Sequence, residues 1–75
     1  MTDIEWIQNF GYSADGYYRI ERWGGSKSGG FYFALSTSEI NYMVLKGPFS
    51  TRERRDEAIQ QEISKHDATA YNGAL

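Results

Sequence analysis

The chain has 75 residues, with ten acidic and eight basic groups, one histidine and no cysteine, for a net charge of −2. That length suits one small domain, and the acidic balance excludes a protein that holds nucleic acid by bulk charge alone. Without cysteine neither disulfides nor thiolate metal sites can reinforce the fold, and no apolar run has the length of a membrane span.

Thr2 and Glu5 have the spacing of a capping box, and Ile4, Ile7 and Phe10 recur at helical intervals, with Trp6 beside them and Gly11 as a stop. The spacing predicts a short N-terminal helix, which is marginal in isolation and needs an apolar surface to dock on. Residues 12–16 read as a turn. Residues 17–23 and 31–36 are predicted strands, joined by the hairpin loop Gly24-Gly25-Ser26-Lys27-Ser28-Gly29-Gly30. A third strand covers 40–46 and is broken by Gly47-Pro48-Phe49. Ser50 then caps a second helix, with Glu53 in the reciprocal position, and Ala58, Ile59, Ile63 and His66 form its apolar stripe. Arg52, Arg54, Arg55, Asp56, Gln60, Gln61 and Lys65 fall on its opposite faces.

The order α-β-β-β-α implies an α+β fold: a three-stranded antiparallel meander with the C-terminal helix packed on one face and a short N-terminal helix. Residues 1–66 form the single domain, and 67–75, which lack periodicity, a flexible C-terminal tail. The start of the chain lacks the basic and apolar segments of an export signal, so the expected location is cytoplasmic.

Alternation sorts the sheet into two faces. Phe31, Phe33 and Leu35 go to the core side, together with Tyr18 and Ile20 and, on the third strand, Met43 and Leu45, unless the parity of that strand is reversed. The second face then carries Tyr17, Arg19, Glu21, Trp23, Tyr32, Tyr42, Val44 and Lys46, which is too apolar for an idle solvent face. Either the first helix covers it with Ile4, Ile7 and Phe10, or it is partly open and grips a partner. Aromatic residues make up 16% of the chain (two Trp, six Tyr, four Phe), which serves core-building and recognition alike.

Charge is uneven: residues 1–18 carry −3, residues 19–55 carry +4 and residues 56–75 carry −3. Arg52, Arg54 and Arg55 cluster where a helix begins, an end that favours acids, so they either meet an acidic partner or form a solvated face balanced by Glu53, Asp56 and Glu57.

Nothing in the sequence assembles a catalytic constellation. His66 is the sole histidine, and Glu53, Asp56 and Glu57 sit where acids stabilise a helix, so no enzyme activity, catalytic residue, metal or cofactor is expected. The loop at 24–30 is glycine-rich, but it joins strand to strand, whereas a phosphate loop runs from strand into helix.

Gly30-Phe31-Tyr32-Phe33-Ala34 resembles the aromatic strand of the RNA-recognition motif, whose rings stack bases, over these five residues and without that family's β-α-β-β-α-β order. Gly47-Pro48-Phe49-Ser50-Thr51, running into an Ala-containing helix, is similar to the strand-to-helix joint of the peptidoglycan-binding SPOR domain. That likeness carries no site residues and omits the family's duplicated half.

The expected function is therefore that of a small non-enzymatic binding protein acting through protein–protein contacts. An inhibitor or adaptor of the phage or prophage accessory kind, masking a site on a larger host macromolecule, has this size, acidity and lack of cysteine. The candidate partner-binding residues are Tyr17, Arg19, Trp23, Lys27, Tyr32, Arg52, Arg54 and Arg55, the rings as anchors and the cations for steering. The alternatives are single-stranded nucleic-acid binding through the aromatic face, with Lys46 among its phosphate contacts, and a homodimeric structural module. The chain is thus expected as a monomer or homodimer, with no membrane partner.

Overall fold

The computed structural model describes residues 2–39 and 43–73. In chain order these form β1 (Ile4–Ile7), β2 (Phe10–Ser13), β3 (Tyr18–Gly25), a 3-10 turn (Ser26–Ser28), β4 (Gly30–Thr37), β5 (Met43–Phe49) and α1 (Arg52–Gly73). The five strands pair antiparallel in the order β1-β2-β3-β4-β5, and α1 packs across one face. The α+β class and the C-terminal helix are as expected from the sequence. The three-strand count and the N-terminal helix are not.

The predicted helix is a two-stranded hairpin. Ile4 and Trp6 turn toward α1 while Glu5 and Ile7 turn away, the period-two alternation of a strand. Gly11 makes the pairing possible, because a Cβ there would lie 2.7 Å from Ile4 Cγ2 and 2.9 Å from Trp6 Cζ3. The Gln8-Asn9 turn is tied to β3 at two points: the Arg22 amide donates to the Asn9 carbonyl at 3.0 Å, and Arg22 Nη2 donates to the Gln8 carbonyl at 3.3 Å. Pairing to β2 and β3 gives this segment partners that an isolated short helix would lack.

Ser13 and Asp15 fasten the β2–β3 turn. Ser13 Oγ donates to Asp15 Oδ1 at 2.6 Å and accepts the Tyr18 amide at 2.9 Å, while the Tyr17 amide donates to the same carboxylate at 2.9 Å. These bonds hold the Asp15 carboxyl below the usual carboxylate range, the Ser13 bond most of all. The glycine-rich connection is shorter than its sequence suggests, since β3 and β4 pair out to Gly25 opposite Gly30.

Tyr18, Ile20, Phe33, Leu35, Ile59 and Ile63 form the buried core. On α1 the buried positions are Arg55, Ile59, Glu62 and Ile63, a stripe at helical spacing that carries two charged members. Arg55 therefore belongs to the inner side of the helix, not to the faces opposite the apolar stripe where the sequence placed it.

The facing of β5 is the reverse of the predicted one. Leu35 lies opposite Val44 and Phe33 opposite Lys46, so Val44 and Lys46 look toward α1 while Met43 and Leu45 project outward, 71% and 67% exposed. Lys46 Nζ reaches Glu62 Oε2 on the helix at 3.4 Å. Residues 40–42, the predicted start of this strand, lie outside the described residues, and Tyr42 with them. Gly47-Pro48 does not end the strand either. The Gly47–Pro48 peptide is cis, and the register shifts between Phe31 and Phe33, so that Phe31 faces Phe49. The shift turns Phe49 inward, its ring stacked on Phe33 at 6.0 Å.

Thr51, not Ser50, caps α1: its Oγ1 accepts the Arg54 amide and its carbonyl the Arg55 amide, both at 3.2 Å. The helix continues past His66 to Gly73. Beyond the predicted end, Asp67 accepts Thr2 Oγ1 at 2.8 Å and the Tyr18 hydroxyl at 2.6 Å.

Candidate functional site

Among the described residues, which form one helix and five strands, one sheet face is covered and the other is not. Cross-strand partners on the uncovered face form rows. Ile7, Phe10, Glu21, Ala34 and Leu45 stand opposite one another in succession from β1 to β5. Beside them run Glu5, Tyr12, Arg19, Ser36 and Met43, and at the other flank Trp23 pairs with Tyr32. The Trp23 and Tyr32 rings stack at 5.8 Å with planes 6° apart. Ile7, Phe10, Tyr12, Trp23, Met43 and Leu45 are all exposed there. The two charges on the central strand, Arg19 and Glu21, thus lie between apolar flanks. A face of this kind can bury rings and aliphatic chains against a complementary surface, with a charge of each sign to fix orientation.

Three of the sequence-predicted residues, Arg19, Trp23 and Tyr32, share this face. Tyr17 does not: it packs at the edge of the core, its ring edge-on to Tyr18 at 4.9 Å, and its hydroxyl donates to Glu39 Oε1 at 2.8 Å. That hydrogen bond, with some burial, raises the Tyr17 hydroxyl above its ordinary pKa. Lys27 is exposed on the 3-10 turn at the hairpin tip. Arg52 and Arg54 are exposed at the start of α1, while Arg55 is buried with its Nη2 3.0 Å from Asp56 Oδ1. Val44 and Lys46, expected on this face, are on the other. Phe31 and Phe33 also face the helix, so of the three rings in the stretch likened to an RNA-binding strand only that of Tyr32 is turned to the open side.

Sequence reasoning missed Ile7, Phe10, Tyr12, Met43 and Leu45. The alternation of Phe10 and Tyr12 with Gly11 and Ser13 was the available signal for two of them.

A second feature lies across the sheet, between the β3–β4 hairpin and the first turns of α1. It is a cleft of about 420 Å³ bordered by Arg22, Trp23, Phe31, Arg52, Arg55 and Asp56. His66, the sole histidine, is half-buried with Nε2 3.7 Å from Glu62 Oε1. No group of three or more His, Asp or Glu side chains among the described residues has a metal-binding arrangement, and no described helix is long and apolar enough to cross a membrane.

Compared with protein-family models, with characterised proteins and with solved structures, the chain matches none.

Proposed function

We propose that this chain is a small non-enzymatic binding protein that uses the open face of its sheet to grip a protein partner and mask a site on it, as an inhibitor or adaptor would. The observation that carries the reading is the set of exposed large apolar side chains on β1, β2 and β5, together with the Trp23–Tyr32 pair on β3 and β4, with no described element of the fold over them. Contiguous exposed apolar surface is costly to leave in water and marks interaction sites. Trp23 and Tyr32, prestacked, lose little conformational entropy on binding and are the expected anchors. Arg19 and Glu21 set orientation.

Affinity capture from a lysate of the source cells, with and without nuclease, tests this reading. A stoichiometric protein that survives nuclease is the expected result. Loss of every partner on nuclease treatment would move the face to single-stranded nucleic acid, and a solution mass near twice 8.6 kDa with no other partner would make it a dimer interface.

A further inference from the structure

The arginine cleft on the helix side has a composition that stability alone does not explain. Arg52, Arg54 and Arg55 open α1, the end of a helix that carries partial positive charge. Arg22 joins Arg52 and Arg55 from β3, because its parity with Tyr18 and Ile20 turns it toward the helix. Three guanidinium groups therefore border one cleft with a single carboxylate, Asp56. A single oxygen of it, Oδ1, serves Arg55 Nη2 at 3.0 Å, Arg55 Nε at 3.1 Å and Arg22 Nη1 at 3.6 Å. Among the described residues no carboxylate lies within ion-pair distance of Arg52. The formal charge of the cleft is thus +2, in a chain whose total is −2.

Ring faces and backbone hold these cations as much as carboxylates do. The Arg52 and Arg55 guanidiniums lie 5.8 and 5.6 Å from the Phe31 ring centre, and that of Arg22 lies 3.9 Å from the Trp6 ring. Arg55 is buried, so its orientation is set before any ligand arrives. Three guanidinium forks carry more N–H donors than one carboxylate can accept. At about 420 Å³ the cleft falls in the size range of small-ligand pockets.

We propose that this cleft is a binding site for the phosphomonoester group of a small molecule. At neutral pH such a group carries about −1.5 to −2 charge and three acceptor oxygens, which matches the excess charge and the bidentate geometry of guanidinium. The net negative charge of the whole chain disfavours a long polyanion, while the local excess favours a compact dianion. The site opens on the helix side of the sheet and shares Trp23 with the open face.

The test is a titration of the full chain with inorganic phosphate at constant ionic strength and pH 7.5, reading the arginine Nε–H resonances. The expected result is a saturable shift of Arg22, Arg52 and Arg55 in the millimolar range. Arg52→Ala, at an exposed position, weakens it by about tenfold or more, as loss of a charge-assisted contact should. Arg54→Ala, exposed on the same turn but outside the cleft, leaves it within about twofold, and both variants keep the wild-type circular dichroism. A non-saturating response, or equal weakening by the two variants, would reduce the effect to charge screening and overturn the site. Displacement of phosphate by a single-stranded oligonucleotide lacking terminal phosphate would overturn the small-molecule assignment.

Discussion

Asp67 joins three parts of the chain that are far apart in sequence. Thr2 donates to one carboxylate oxygen from both its hydroxyl and its amide, at 2.8 and 3.3 Å, and the Tyr18 hydroxyl donates to the other at 2.6 Å. Burial pushes the Asp67 carboxyl up, but the hydrogen bonds from Tyr18 and Thr2 more than offset it, and it titrates below its ordinary value of 3.8. Tyr18 moves the other way, raised well above its ordinary range by burial and then by its bond to Asp67, so it stays a donor at neutral pH. A carboxylate whose pKa is depressed on folding stabilises the fold fully above its unfolded value, and that contribution is lost as pH falls through the folded value. Asp67→Asn is therefore expected to cost about 1–2 kcal/mol at pH 7, the scale of hydrogen bonds to a charged group. The difference from wild type should shrink as pH falls from the unfolded value of 3.8 downward, as read by urea denaturation across pH. A difference that stays constant through that range would mean that the charge contributes nothing.

At the scale of elements, the junction of β4 and β5 is tightly constrained. Gly47 has φ of 136°, and a Cβ there would lie 2.7 Å from Tyr32 Cδ1 and 2.8 Å from the Phe31 carbonyl. Gly47→Ala is expected to cost about 1–3 kcal/mol through backbone strain and steric overlap. Gly25→Ala, with nothing within 4 Å of its Cβ, should stay within about 0.5 kcal/mol. Chemical denaturation of the two variants side by side checks this, and equal costs would contradict the bulge geometry. The same junction shows why some of the fold was legible and some was not. Where an alternation is long and one-sided, as in Tyr18 and Ile20 or Phe33 and Leu35, or a stripe has helical spacing, as in Ile59 and Ile63, local pattern identifies the element and its buried face. β5 has apolar side chains on both faces, Met43 and Leu45 outward against Val44 and Phe49 inward. Its parity is fixed by partners distant in sequence, through the register shift and the Lys46–Glu62 pair. The first hairpin is harder still. Ile4, Ile7 and Phe10 satisfy a helical period while Ile4 and Trp6 satisfy a strand period, and only pairing with β3 decides between them.

For the whole molecule, the consequence is an unequal division of apolar side chains. Six fully buried residues between α1 and the sheet supply the core, so the rings and aliphatic chains of the other face contribute little to folding and are available for contact. Trp23, Tyr32 and Arg19 could be assigned to that face from β3 and β4 alone, whereas its β1, β2 and β5 members depended on an unforeseen hairpin and a reversed strand. The basic start of α1, read from sequence as part of the same binding surface, is set apart with Arg22 and Asp56 around the cleft on the helix side. Two chemically different surfaces thus share one small scaffold, an apolar sheet face and a cationic cleft.

The most direct measurement is affinity capture with wild type, Leu45→Glu and Gln61→Glu in parallel, after thermal melts have shown all three to be folded. Leu45 is 67% exposed at the centre of the face's β5 edge, and Gln61 is exposed on the helix. The expected result is one nuclease-resistant protein partner retained by Gln61→Glu and weakened by at least about 2 kcal/mol, some thirtyfold, in Leu45→Glu. Equal capture by all three folded proteins would contradict the assignment of the open sheet face as the binding surface.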